Sequence, residues 1–325
     1  RKDKGMVPAG HEVAVAQWPL TEYVAFHGKP LYKPEVTRKD EEGNLILCCG
    51  GNTFSFSKAD GALTSWLCNG NELLKERMKP NFWRPLTDND IPNGHLDRCG
   101  VWREAAAGLK VKSIEPLAKE QGEGVKVMLA NEALDIAMEL TYMIEDEDRL
   151  GIDCHFIPGA VALPEIPRLG MTLTLPGTCE NMQWYGRGPG ESYIDRKSAS
   201  LIGKYESTVW DQYHPYVRAQ ETGNHTDVRW MKLTDNAGYG LLVAGAEPLN
   251  VGAWNFPQSD LEYVPATVAN RHGGSIEKQD MVTLNIDHRM MGVGGDNTWG
   301  AQVHSEYTVS PKEYDFHFSL QALHP

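Results

Sequence analysis

Between Leu134 and Phe156 the chain has little choice but to form a long β-hairpin. Leu134, Ile136, Met138, Leu140, Tyr142 and Ile144 fall on one face of an extended segment. Asp135, Glu139, Thr141 and Glu145 fall on the other. Successive side chains of a strand point to opposite faces, so this alternation makes one dry face and one wet face. The acidic turn Asp146 to Asp148 then returns the chain into Leu150, Ile152, Cys154 and Phe156, again at period two. An apolar face of this length needs a second layer to cover it.

The remaining pattern is of the same kind. Leu45 and Leu47, then Thr53 to Ser57, flank Gly50-Gly51 as the arms of a hairpin. Lys58 to Gly61 is a turn, Leu63 to Leu67 a strand and Asn69 to Asn71 a further turn. Later strands are expected at Met171 to Leu175, Asp227 to Leu233, Tyr239 to Ala244, around Val282, Leu284 and Ile286, and at Glu313 to Leu320. One helix is expected over Asp97 to Ala107, with Asp97 as its N-cap and Gly108 as its stop. Many antiparallel strands and a single short helix predict an all-β fold, a large antiparallel β-sandwich. Its span is residues 46–325. Residues 21–45, with Pro30, Pro34 and the charge run Arg38 to Glu42, read as a linker. Residues 1–20 read as a lone strand through Val13, Val15 and Trp18, whose partner strands must come from elsewhere. Arg1 in place of a methionine reads as a processed or excised chain.

Composition narrows the function classes. With 31 basic and 44 acidic residues the net charge is −13, which argues against nucleic acid or an anionic membrane as partner. No apolar run approaches the roughly 18 residues that span a bilayer, and the first residues lack the apolar stretch of a secretory signal. The six cysteines show no metal-binding spacing and read as buried free thiols of a reducing compartment. The cytoplasm is the expected location, with the periplasm as the alternative.

Four stretches carry candidate chemistry. Phe82 to Ile91, FWRPLTDNDI, holds Arg84, Asp88, Asn89 and Asp90. Its carboxylates sit two residues apart on a turn, where Asp and Asn bond their own backbone and Arg84 anchors them. A glycosidase needs two carboxylates flanking a bond from opposite sides, about 5 to 9.5 Å apart, which one turn does not supply. Trp184 to Arg196, WYGRGPGESYIDR, reads as a loop whose Arg187, Glu191, Asp195 and Arg196 form a charge network. Tyr213 to Trp230 holds His214, Gln220, Glu221, His225 and Arg229, either a polar corner of the sandwich or an acid and base beside a sugar. Finally, Ile286 to Trp299, IDHRMMGVGGDNTW, is a strand feeding a turn built on Gly292, Gly294 and Gly295. Such a turn carries Trp299 to a rim, where it either caps the core or offers a flat face to a sugar ring.

Taken in order, WRxxxDND, WxGxGPxExYxDR, YxPYVxxQExGN and the terminal GxGGxxxW resemble the small-chain, C-terminal domain of glycoside hydrolase family 2 β-galactosidases. The likeness covers roughly Gly51 to Leu320. It implies the supersandwich shared with galactose mutarotases, with PAGHEVAVAQWPL resembling the last strand of a preceding immunoglobulin-like domain. It implies a part of a retaining β-galactosidase whose catalytic glutamates lie in a separate barrel, so that no catalytic or metal residue is expected in this chain. The parent's Mg2+ and Na+ are implied to bind in other domains. Trp299 matches the family's substrate-contacting tryptophan, and Asp296, Asn297, Asp90 and Asn93 are candidate pocket-lining residues. Where the family carries glycine after DNDI, this chain has Pro92, which stiffens the segment that follows. The implied partners are a galactoside, the other domains of the parent and further copies of the enzyme. The alternatives are a mutarotase-like aldose epimerase using a histidine and a glutamate, and a non-catalytic carbohydrate-binding module.

Overall fold

The computed structural model describes residues 5–21, 23, 34–117, 122–264 and 272–325. Among them, two antiparallel sheets face each other across one apolar core. The smaller is a meander of β1 (Val36–Glu41), β2 (Asn44–Cys49), β3 (Asn52–Ser57), β4 (Leu63–Cys68) and β5 (Asn71–Glu72). Period-two burial gives it an inner face of Leu45, Leu47, Phe54, Phe56, Leu63 and Trp66. Strand β1 lies where the charge run Arg38 to Glu42 was expected to be linker. It is an edge strand, and all but its first residue are exposed, so the charges that suggested a linker instead protect a free edge.

The larger sheet draws on β6 (Glu76–Asn81), β7 (Lys110–Pro116), β8 (Gly124–Asn131), β9 (Ile136–Asp146), β10 (Arg149–Pro158), β11 (Arg168–Pro176), β12 (Asn181–Gly188), β13 (Leu201–Thr208), β14 (Asn224–Thr234), β15 (Gly240–Trp254), β16 (Met281–Met290) and β17 (Tyr314–Leu323). The diagnostic hairpin is β9–β10, with Leu150 opposite Ile144, Ile152 opposite Tyr142, Cys154 opposite Leu140 and Phe156 opposite Met138. Its dry face meets the small sheet, where the rings of Tyr142 and Phe56 lie 4.9 Å apart.

Strand β15 is twice as long as expected, and it forks the sheet. Gly240–Gly245 pair with β17, while Asn250–Trp254 pair with β16. The Glu247-Pro248 pair sits between the two halves, and that proline signal concealed the continuation. Strand β16 lies between β15 and β11. Its Thr283, Asn285 and Asp287 are as buried as Val282, Leu284 and Ile286, because Phe256, Asn81 and Arg168 meet them on the polar face.

The expected helix is shorter and starts earlier. Helix α1 covers His95–Cys99, Gly94 takes the N-cap place, and a 3-10 turn follows at Gly100–Trp102. Gly100 disfavours a continued helix by about 1 kcal/mol. Trp102 is fully buried against Phe82 and Phe156, with its indole N–H donating to the Pro164 carbonyl at 3.1 Å. Residues 11–19, expected as a lone strand, have no strand pairing: Val13 and Trp18 are 85% and 78% exposed. Gln17 exchanges hydrogen bonds with the backbone of Ile202 on β13, at 2.8 and 2.7 Å. Part of the expected linker, residues 22 and 24–33, lies outside the described residues. All six cysteines are free, and all but Cys48 are buried.

Candidate functional site

The turn after β6 is built on Arg84, which is fully buried. Its guanidinium grips the Asp90 carboxylate with two bonds, at 2.5 and 3.1 Å. Asp90 also accepts from the Thr87 amide at 2.8 Å and the Thr87 hydroxyl at 3.0 Å. Burial opposes the charge on Asp90, yet Arg84 and these donors together hold its carboxyl below the usual range. Asp90 was a candidate lining residue. With both oxygens committed and 3% of its surface exposed, it is a structural ion instead. Its neighbour Asp88 points outward and is bridged to Gln220, whose side chain accepts from the Asp88 amide and donates to its carboxylate, both at 3.0 Å.

Three of the motifs meet at the glycine turn. The Gly292 carbonyl accepts from Arg84 at 3.0 Å, and the Val293 carbonyl from Thr87 at 3.4 Å and Asn89 at 3.3 Å. On the other side of the same backbone, the amides of Val293 and Gly294 donate to Asp195, at 3.2 and 2.7 Å. Beyond this clamp the chain leaves the body of the protein. Asn297 closes a turn by accepting from the Trp299 amide at 2.9 Å, and Asp296 pairs with His304 at 2.9 Å. Trp299 stands 88% exposed at the tip, so it does not cap the core. Gly300 folds back against the Pro92 carbonyl and brings the tip beside the segment that follows DNDI. Asn93 in that segment is partly buried, and its carbonyl accepts from Arg98 at 3.2 Å.

Next to the turn is a cleft of about 170 Å³ lined by Thr87, Asp88, Asn89, Tyr193, Gln220 and Glu221. Glu221 marks a buried charge centre. Arg168, at the start of β11, lies 3.3 Å from Glu221 and 3.1 Å from Asp287 of β16, and all three side chains are sealed from solvent. Burial pushes both carboxyls up to about 7, against the pull of Arg168. Burial outweighs the attraction of Arg168 for both carboxylates and of Arg84 for Glu221, which favours keeping a proton on the pair.

Besides Asp195, which holds the glycine turn, the charges of WYGRGPGESYIDR divide between two networks. Arg187 pairs with Asp227 at 2.5 Å, and Lys197 joins it at 3.0 Å. Glu191 binds Arg196 at 2.5 Å, the Tyr216 hydroxyl and the Gly223 amide at 2.8 Å. The stretch was expected to be loop throughout, but β12 runs through it to Gly188. His225 is fully buried, with its ring 4.3 Å from that of Trp184, and burial pushes it down to about 4. His214 is exposed at a loop. Among the described residues, no histidine lines the cleft opposite Glu221, and sugar-ring opening by the expected acid and base would require one. Among the described residues, no three His, Cys, Asp or Glu side chains gather in a metal-holding arrangement.

The family model of the β-galactosidase small chain matches residues 49–320. The chain belongs to that family. All four motifs lie within the matched span of this small chain. It is 33% identical to a β-galactosidase of Priestia megaterium over 99% of its own length and 31% of that protein's. Against the β-galactosidase of Halalkalibacterium halodurans the identity is 29%, over 99% of this chain and 32% of the relative. For that of Lactobacillus delbrueckii subsp. bulgaricus it is 32%, over 87% and 28%. The small chain thus spans about a third of the length of these relatives. Among solved structures it is similar to a galactose mutarotase-like protein from Clostridium acetobutylicum, with TM-score 0.46 and 8% identity over 90% of this chain and 99% of that one.

Of the expected site residues, the fold brings Trp299, Asp296 and Asn297 together on one projecting loop, with Pro92 and Asn93 alongside. Arg168 and Asp287 escaped the sequence reading. Arg168 opens β11 and Asp287 alternates with the apolar residues of β16, so no local pattern distinguishes either.

Proposed function

We infer that this small chain is the C-terminal part of a retaining, family 2 β-galactosidase, and that it lays Trp299 against the galactoside held by the rest of the enzyme. The observation that carries this reading is the exposed indole at the end of a doubly clamped glycine turn. A large apolar ring held in water on a well-supported loop gains free energy when a partner surface covers it. A sugar face and the surface of a neighbouring domain meeting at the active site would cover it together. Asp296 and Asn297 lie on the loop that carries it, and Asn93 on the segment beside that loop.

The acid and the nucleophile of hydrolysis come, in this reading, from the parent's other domains. Asp90 is committed to Arg84 and Glu221 to Arg168, which leaves neither free to flank a glycosidic bond. The ions implied by the resemblance would be held in those domains as well. Residues 1–20 belong to the preceding immunoglobulin-like domain and residues 21–35 to the linker, while the small-chain domain begins at β1. No helix among the described residues is long and apolar enough to cross a membrane, and the assembled enzyme is assigned to the cytoplasm.

The test is turnover of a chromogenic β-galactoside by the purified chain alone and by the complete parent. The parent should be active and the chain inactive at every pH. Activity of the chain alone that disappears in Glu221→Gln would overturn the division of labour. Interconversion of galactose anomers by the chain alone would replace it with the epimerase reading.

A further inference from the structure

We propose that Asp195 is a positioning residue for Trp299, and that Gly292 and Gly294 of the GVGG turn are there to admit its carboxylate. This rests on the reading of Trp299 given above, but its geometric part stands apart from it. Asp195 lies in a tight turn in which the Arg196 amide donates to the Tyr193 carbonyl at 2.8 Å. The Tyr193 ring is buried, and the Arg196 guanidinium lies 5.1 Å from it, so the turn has one well-anchored side. From there the carboxylate takes the amides of Val293 and Gly294, one on each oxygen.

The sequence of the turn follows from this contact. A Cβ at residue 292 would lie 2.6 Å from the Asp195 carboxyl carbon, and one at residue 294 would lie 3.1 Å from its Oδ2. Any side chain at 292 would push the carboxylate off its two amides. The third glycine answers to a different contact, since a Cβ at 295 would lie 2.5 Å from the Ala301 carbonyl. The backbone leaving β16 is thus gripped on its carbonyl side by Arg84, Thr87 and Asn89, and on its amide side by Asp195. The carbonyl grip comes from a fully buried arginine within a core ion pair. The amide grip comes from a half-buried residue, and it acts on the last two amides before the loop departs. Asp195 therefore sets the direction in which residues 295–300 project, whereas Arg84 serves the stability of the whole corner. Charged acceptors make the stronger hydrogen bonds, so a neutral amide is a poor substitute. In Asp195→Asn one oxygen remains to accept, and the new NH2 group faces an N–H.

The experiment labels the nine tryptophans with fluorine in the chain, assigns the Trp299 resonance by its loss in Trp299→Phe, and repeats the spectrum in Asp195→Asn. The Trp299 line should move or broaden while the buried tryptophans keep their positions. Gly292→Ala, which keeps the charge but displaces it, should do the same and serves if Asp195→Asn folds poorly. An unmoved Trp299 line in the folded variants overturns the proposal. In the complete parent enzyme, Asp195→Asn should raise KM about ten-fold, which is about 1.4 kcal/mol. It should add little on top of Trp299→Ala, and a full ten-fold loss in that background also overturns the proposal. If the line moves but Trp299→Ala leaves KM unchanged, the positioning stands, and the assignment of Trp299 to the substrate is what fails.

Discussion

Replacing Glu221 with glutamine should make the protein more stable than wild type in mild alkali while leaving it nearly unchanged in mild acid. The reason is the charge count at Arg168. Glu221 and Asp287 both face that cation and are fully buried, and burial pushes each carboxyl up to about 7, although Arg84 attracts Glu221 as well. In the unfolded chain both ionise in the ordinary range near 4. Between about pH 4.5 and 7 the native state therefore binds more protons than the unfolded state, and stability falls as pH rises through that window. One such proton is worth about 1.4 kcal/mol per pH unit, so two units amount to about 3 kcal/mol. Other groups bend the same curve. His95, His225 and His288, each pushed down to about 4 by burial, contribute stability that grows as pH rises from about 4 to 6.5. His317, raised to about 9 by Asp153 and Glu145 against its burial, contributes stability that is lost as pH climbs toward 9.

These contributions cancel when variant and wild type are compared at each pH. Glu221→Gln keeps the shape, removes one titrating group and leaves Arg168 to pair with Asp287 alone. Urea unfolding at pH 5, 6, 7 and 8 should show the difference in free energy moving in favour of the variant by about 3 kcal/mol over the series. Parallel curves would mean that Glu221 ionises normally in the native state. A variant that is less stable at pH 8 would mean that the Arg168–Glu221 attraction exceeds the cost of burying both carboxylates.

Two further outcomes follow from the fold. Arg84→Met strands the Asp90 carboxylate without its partner and should cost about 3 to 5 kcal/mol, read as a large fall in melting temperature; a near-neutral result would show that Asp90 escapes to water or takes up a proton cheaply. Amides of residues 11–19 in the isolated chain should exchange hydrogen far faster than those of β9 and β10, because no strand pairs with them; equal protection would mean that they dock more firmly than the Gln17 contact alone allows.

Strands that present one dry face were legible from the amino-acid pattern, and β9, β10 and β17 appear where period-two alternation put them. Strand β16 shows the limit of that signal. Thr283, Asn285 and Asp287 look like a wet face, yet Phe256, Asn81 and Arg168 meet them and keep water out. Only long-range contact decides this, since Arg168 and Asp287 are far apart in sequence. Edge strand β1 was hidden for the opposite reason: exposed charges suit both a linker and a protected sheet edge. The second half of β15 was hidden by Pro248, which ends most strands but here sits where the sheet forks. At the candidate site the glycine turn and Trp299 were readable as a projecting loop. What holds the loop was not, because the partners of its backbone, Arg84 and Asp195, belong to two distant motifs.

Trp299 is the residue that ties this chain to the substrate. A sugar face covered by its indole would bury roughly 60 to 80 Å² of apolar surface, on the order of 2 kcal/mol, or about a thirty-fold change in affinity. The decisive measurement is steady-state kinetics of Trp299→Ala in the complete parent enzyme, with the melting temperature recorded on the same samples. The exposed position predicts an unchanged melting temperature and a KM raised by about that factor. Wild-type kinetics, with or without a lowered melting point, would contradict the placement of Trp299 against the substrate.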